Sequence, residues 1–139
     1  PDVDKDLIVR GELLISRGKF AKHGTDFKNS RNMVASIVTR IKPHESAVYF
    51  DFVAHELLQP RMAPSKQFAF LKRLGFNIVP HKLVAANIVT TARLVKFLQA
   101  RKAASKYDID GIVVGQDKSV PRTVCSNPSS GVAIKDNAP

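Results

Sequence analysis

The sequence predicts an α+β fold, and three observations carry that prediction. Stretches of strand periodicity and stretches of helical periodicity both occur, without the strict alternation of repeated β-α-β units. At 139 residues and 44% hydrophobic, the chain is long enough to bury a core of its own. No repeat, low-complexity tract or interior boundary divides it. The expected arrangement is therefore one unit, residues 1–139, of antiparallel sheets flanked by helices.

Residues 6–16 (DLIVRGELLIS) read as a strand. Leu7, Val9, Gly11, Leu13 and Ile15 share one face; Ile8, Arg10, Glu12 and Leu14 share the other. Arg10 and Glu12 thus stand about 7 Å apart on one face. Such a pair reads as a surface salt bridge, or as part of a site, because Gly11 marks the close approach of a ligand or backbone. Residues 18–23 form a short turn or helix. In residues 27–43 (FKNSRNMVASIVTRIKP), Asn29 and Ser30 are helix-capping residues. Met33, Val34, Ile37, Val38 and Ile41 follow at helical spacing, so a helix starting near Arg31 is expected to bury that stripe. Arg31 opposes the helix dipole by roughly 0.3–1 kcal/mol. A cation beside the free N–H groups of a helix start suits a bound phosphate; an exposed arginine tolerated at small cost fits as well.

A second strand is expected over residues 46–57, with Val48, Phe50, Phe52 and Ala54 alternating against Tyr49, Asp51, Val53 and His55. His55 and Glu56 lack a second histidine at metal spacing, which argues against zinc. After Pro60 and Pro64, a helix over residues 65–74 rests on Phe68, Leu71 and Leu74, with Gly75 as its stop. Residues 76–84 read as an edge or bent strand because of Pro80. Residues 91–105 read as a helix with Leu94, Phe97 and Leu98 inward. Its outer face (Arg93, Lys96, Arg101, Lys102, with Lys106 beyond) is plain solvation or a track for a phosphate backbone. Residues 110–114 form a short buried strand with Asp110 at its mouth. A Pro-, Ser- and Asn-rich loop follows, then a last strand over 131–136 with Ala133 and Lys135 on one face.

The formal net charge is +10. It favours a polyanionic partner, and nucleic acid over a membrane surface, because no basic amphipathic helix with aromatic anchors occurs. No apolar run reaches the ~20 residues of a membrane span, and no signal peptide precedes the first charges. The lone Cys125 excludes a disulfide framework, fits a reducing compartment and reads as an ordinary loop thiol.

In chain order the sequence offers Glu12 on a strand, Arg31 at a helix start, Asp110 opening a strand and Lys135 on the final strand. Arg31 and Lys135 suit phosphates, Glu12 suits sugar hydroxyls, and Asp110 suits a metal or ammonium. Together they describe a nucleotide pocket, with no metal site built from protein side chains alone.

The same residues resemble the adenylation (nucleotidyltransferase, ATP-grasp-like) domain of NAD-dependent DNA ligases. Val9-Arg10-Gly11-Glu12 resembles the family's VRGE strand. Residues 27–32 (FKNSRN) resemble F-x-N-P-R-N, with serine for proline. Residues 52–56 (FVAHE) and the segment 67–76 resemble the FFAY strand and a helix ending in L-x-x-x-G-F. Residues 107–113 (YDIDGIV) are similar to Y-x-I-D-G-V-V, and Ala133-Ile134-Lys135 to A-Y-K. The wording RNMVAS is closer to large-DNA-virus members than to bacterial ones.

The resemblance implies that Glu12 binds the adenosine ribose and Lys135 the AMP phosphate. Asp110 assists the nucleophilic lysine or its metal, and His55 takes the place of the tyrosine that stacks on adenine. Val113 falls in the strand that flanks the nucleotide, and Arg31 contacts nick phosphates, with Arg40 one step beyond the family's second helix arginine. NAD as AMP donor, Mg2+, nicked duplex DNA as partner, a monomeric state and an intracellular setting, cytoplasmic or at a viral replication site, are implied in the same way. Departures are equally plain. Gly115 stands where the family has a lysine, with Lys118 the nearest substitute, and no K-x-D-G precedes Val9. The expectation is the C-terminal two-thirds of an adenylation domain, inactive alone because its nucleophile is absent. The alternatives are a fragment of an ATP-dependent DNA or RNA ligase, or a basic DNA-binding remnant with a decayed pocket.

Overall fold

The computed structural model describes residues 6–119 and, as backbone, residues 131–135. Cys125 lies outside them. Two sheets form, in a mixed α+β arrangement. The larger has three strands in the order β1 (Ile8–Leu14), β2 (Asp51–Gln59), β3 (Asn77–Ile78); the smaller pairs β4 (Gly111–Gly115) with β5 (Gly131–Lys135). β1 and β2 are antiparallel, as are β4 and β5. β2 and β3 are parallel, which corrects the expectation of purely antiparallel sheets. The cause is α3 (Pro64–Arg73), which returns the chain along β2 as a crossover.

Two core clusters hold this part together. Ala54, Leu57 and Leu71 are completely buried, with Val9, Phe76 and Ile78 packed against them. Ile15, Met33 and Ile37 form the second, joining β1 to α2 (Ser30–Val38), with Tyr49 and Phe50 alongside. Gly11 is obligatory here: a Cβ would come within 2.4 Å of the Phe52 ring and 2.6 Å of the Val53 carbonyl oxygen. The close approach it permits is therefore to the β2 strand. Gly75, at φ 94°, closes α3. Its N–H bonds the Lys72 carbonyl and that of Phe76 bonds the Leu71 carbonyl, the two bonds of a Schellman turn.

Three other expectations change. Residues 45–49 are a short 3-10 helix, capped by the His44 ring accepting from the Ser46 N–H, so β2 begins only at Asp51. Only Asn77 and Ile78 of the segment 76–84 pair as strand. α2 ends at Val38, before its apolar stripe does; Ile41 is consequently fully exposed and Val38 half-exposed. The helix following, α4 (Thr91–Ala104), buries Leu98 as expected, with Leu94 and Phe97 half-buried.

Candidate nucleotide and nucleic-acid site

Glu12 and His55 sit on the β1-β2 sheet. Glu12 is exposed and lies in register with Val53. Gly11 faces Ala54 and Arg10 faces Glu56, so the register steps past His55 and gives β2 one extra residue there. A bulge of this kind turns a side chain out of simple alternation. Accordingly Val53 and Ala54 are both buried, as are Glu56 and Leu57, with half-buried His55 between the two pairs. Behind it, the Glu56 carboxylate meets the Arg61 guanidinium at 3.2 Å. Buried Gln67 accepts from the Leu57 N–H at 2.8 Å.

Arg31 and Asp110 come together. Asn29 caps α2 by accepting from the Asn32 N–H at 2.8 Å, leaving Arg31 in the first turn. Its Nη2 lies 3.6 Å from Asp110 Oδ2, with side chains 81% and 69% exposed. Gly111, next to Asp110, is in register with Lys135, and Val113 with Ala133. The backbone thus gathers Arg31, Asp110, Val113 and Lys135 at one place. β4 itself is not a buried strand: Val113 is 72% exposed. Arg40, just past the other end of α2, is exposed. The described contacts join Glu12 and His55 to the first sheet, and Arg31 and Asp110 to the mouth of the second.

The segment that leads to Asp110, residues 105–108, is held by contacts that no periodicity in the sequence signalled. The Tyr107 hydroxyl donates to Asp51 Oδ2 at 2.6 Å, and Lys19 and Lys106 lie 4.0 Å from the same carboxylate. Burial, then the Asp51 hydrogen bond and charge, push the Tyr107 phenol well above its ordinary pKa, so it stays protonated and donating. Arg17, at the start of α1 (Arg17–His23), donates from its backbone to the Lys106 carbonyl at 2.8 Å. Its side chain donates to the Ser105 carbonyl and lies 3.9 Å from Asp108. Beyond β4, Asp117 accepts from the Ser65 N–H at 2.9 Å and from its hydroxyl at 2.7 Å, capping α3 across 52 residues. The backbone bond first, then the hydroxyl, holds the Asp117 carboxyl below its usual range.

Among the described residues, no group of three or more His, Cys, Asp or Glu side chains is placed to hold a metal ion. Asp110 is a single carboxylate beside a guanidinium. That does not make a protein cage, but it fits the usual binding of magnesium, by one or two carboxylates and a substrate's phosphates. Two open concavities among the described residues, about 650 Å³ along α1 and about 390 Å³ beside α3, include none of the predicted site residues. No described helix is long and apolar enough to cross a membrane.

A family model described as the NAD-dependent DNA ligase adenylation domain matches residues 1–122. A DNA ligase of Acanthamoeba polyphaga mimivirus is 33% identical over 142 aligned residues, covering 99% of this chain and 22% of the relative. DNA ligases of Borrelia turicatae and Caldicellulosiruptor saccharolyticus are 28% and 24% identical, covering 96% and 89% of this chain. The chain spans about a fifth of the length of these curated relatives.

Proposed function

The chain belongs to the NAD-dependent DNA ligase adenylation domain family, and from that premise we propose that it forms part of the nucleotide-transfer centre of a protein that seals nicks in duplex DNA. The observation that supports this reading best is the Arg31–Asp110 pair at 3.6 Å, with Lys135 in register beside it. Segments far apart in sequence, each carrying a phosphate- or ammonium-binding group, converge there.

In this reading the chain is the C-terminal two-thirds of an adenylation domain. Glu12 accepts hydrogen bonds from the AMP ribose, and His55, turned by the β2 bulge, stacks on the adenine. Val113 borders the nucleotide from β4. Lys135 neutralises the AMP phosphate by a charge-assisted contact. Asp110 holds the ammonium of the attacking lysine, which the 139 residues do not supply in a K-x-D-G motif, or shares a Mg2+ ion with the phosphates. Magnesium, when bound, lowers the charge on those phosphates. Arg31 and Arg40 contact phosphates at the nick, Arg31 by exchanging Asp110 for the DNA. The reaction of the larger protein is transfer of AMP from NAD to a lysine, with release of nicotinamide mononucleotide, and then to the 5′-phosphate of the nick, with release of the lysine. The 3′-hydroxyl finally displaces AMP. Such a protein acts as a monomer inside the cell, in replication and repair.

Labelled NAD with Mg2+ tests the proposal. The 139-residue chain is expected to remain unlabelled, because the covalent step needs its nucleophile. A protein extended upstream to include a K-x-D-G lysine is expected to take up one acid-labile AMP. Labelling of the 139-residue chain contradicts the placement of the nucleophile; an unlabelled extended protein contradicts the enzymatic reading and favours a DNA-binding remnant.

A further inference from the structure

Beyond Ala54, no described strand pairs with the outer edge of β2. β3 meets only Val53 and Ala54, and the Val79 N–H donates to the Ala54 carbonyl at 3.1 Å. Successive residues of a strand turn their peptide groups to opposite edges, so regular alternation brings those of Glu56 to the outer edge next. The extra residue at His55 moves that turn on by one, to Leu57. Leu57 is completely buried, where an unmet peptide group is strongly destabilising. Side chains meet both of its groups. Its N–H donates to the side-chain oxygen of buried Gln67 at 2.8 Å, and its carbonyl accepts from Arg61 Nη1 at 2.6 Å. The same Nη1 donates to Glu56 Oε1 at 3.2 Å, and Glu56 is itself 8% exposed.

Arg61 therefore grips the two residues that follow the bulge, and Gln67 grips the second of them from α3. These contacts fit the bulged register and not the regular one. A slip of one residue turns the Leu57 groups away from Gln67 and Arg61, and it returns residue 55 to simple alternation. The bulge also lies against β1 between Arg10 and Gly11, one residue from Glu12. We propose that Arg61, with Glu56 and Gln67, is a positioning device that locks the β2 bulge and so holds the His55 ring where it stacks on the adenine of AMP. This rests on the proposed adenine contact of His55. It adds three residues that touch no part of the nucleotide and act through that ring alone.

A double-mutant cycle on AMP binding tests this, in a protein extended upstream with alanine for the nucleophilic lysine. His55→Ala should weaken AMP about fivefold to tenfold, the lower end of what a base stack contributes. Arg61→Met keeps an apolar stem without the guanidinium and should weaken AMP about as much. The two changes together should weaken it no further than His55→Ala alone. Glu56→Gln keeps an acceptor for Arg61 and should stay within about twofold of the unsubstituted protein. Titrations are made below the melting temperature of every variant. Should Arg61→Met not fold, Gln67→Met, which removes the acceptor of the Leu57 N–H, carries the same test. If the losses of His55→Ala and the clamp variant add, or the clamp variant binds AMP normally, the positioning role is wrong while the His55 contact stands. If His55→Ala binds AMP as tightly as the unsubstituted protein, or that protein binds no AMP, the adenine contact fails and the positioning role with it.

Discussion

The β1-β2-β3 sheet buries Ala54, Leu57 and Leu71 completely, whereas β4 leaves Val113 72% exposed and has no core cluster of its own among the described residues. The first region is held by burial of apolar surface, in the core around Leu71 and in the one joining α2 to β1. The second is held by polar tethers: Tyr107 to Asp51, Arg17 to residues 105–108, Asp117 to Ser65, and Arg31 to Asp110. The difference bears on function. Glu12 and His55 stand on the packed region; Asp110, Val113 and Lys135 stand on the tethered one. In the proposed reading, a nucleotide held between them would have a packed wall on its sugar side and, on its phosphate side, a wall positioned by polar contacts.

Breaking the packed region should have the largest effect. Leu71→Ala removes a fully buried side chain and should cost about 2–5 kcal/mol, read as a fall in the melting temperature of the whole chain. A change below about 1 kcal/mol would contradict this assignment of the core.

Loosening the tethers should have smaller and more local effects. Asp51→Ala leaves the half-buried Tyr107 hydroxyl without its acceptor, which should cost about 1–3 kcal/mol. Amide exchange should accelerate in residues 105–115 more than in β1 or β2, and an equal acceleration everywhere would erase the distinction between the regions. The Asp117 tether is pH-dependent. Its carboxyl is depressed on folding, so its contribution is complete above the ordinary carboxylate value of about 3.9 and fades as pH falls through the lower folded value. Amide protection of Ser65 and β4 should therefore drop in that acid window, and Asp117→Asn should remove the dependence. Smallest of all, Arg31→Ala should change stability by less than about 0.5 kcal/mol, since both partners are exposed and screened.

Local signals made much of the fold legible. Asn29 caps α2, Gly75 ends α3, and β1 lies within the predicted stretch, because each depends on residues adjacent in sequence. Misses came where a competing local turn or a distant residue decides. Val48, Tyr49 and Phe50 alternate like a strand, but His44 caps a 3-10 turn there. Ile41 fits the helical period, yet the helix has already ended. The β2 bulge at His55 and the capping of α3 by Asp117 leave no trace in periodicity. Of the proposed site, the motif segments supplied Glu12, Arg31, Asp110 and Lys135 as expectations, and the approach of Arg31 to Asp110 required the fold. The Asp51–Tyr107 tether was hidden because Asp51 lies in none of the recognisable motifs.

The central claim is that one AMP spans both regions, and calorimetry of AMP binding tests it most directly. The measurement needs a protein extended upstream for measurable affinity, with alanine in place of the nucleophilic lysine. Lys135→Ala should weaken binding by roughly 1.5–3 kcal/mol through loss of a charge-assisted contact. Glu12→Gln should cost less, because shape and some hydrogen bonding survive. Asp110→Asn should cost least, because the group it serves has been removed. Losses in that order, on both sides of the nucleotide, are the predicted result. Lys135→Ala binding AMP as tightly as the unsubstituted protein would contradict it and return the final strand to ordinary structure.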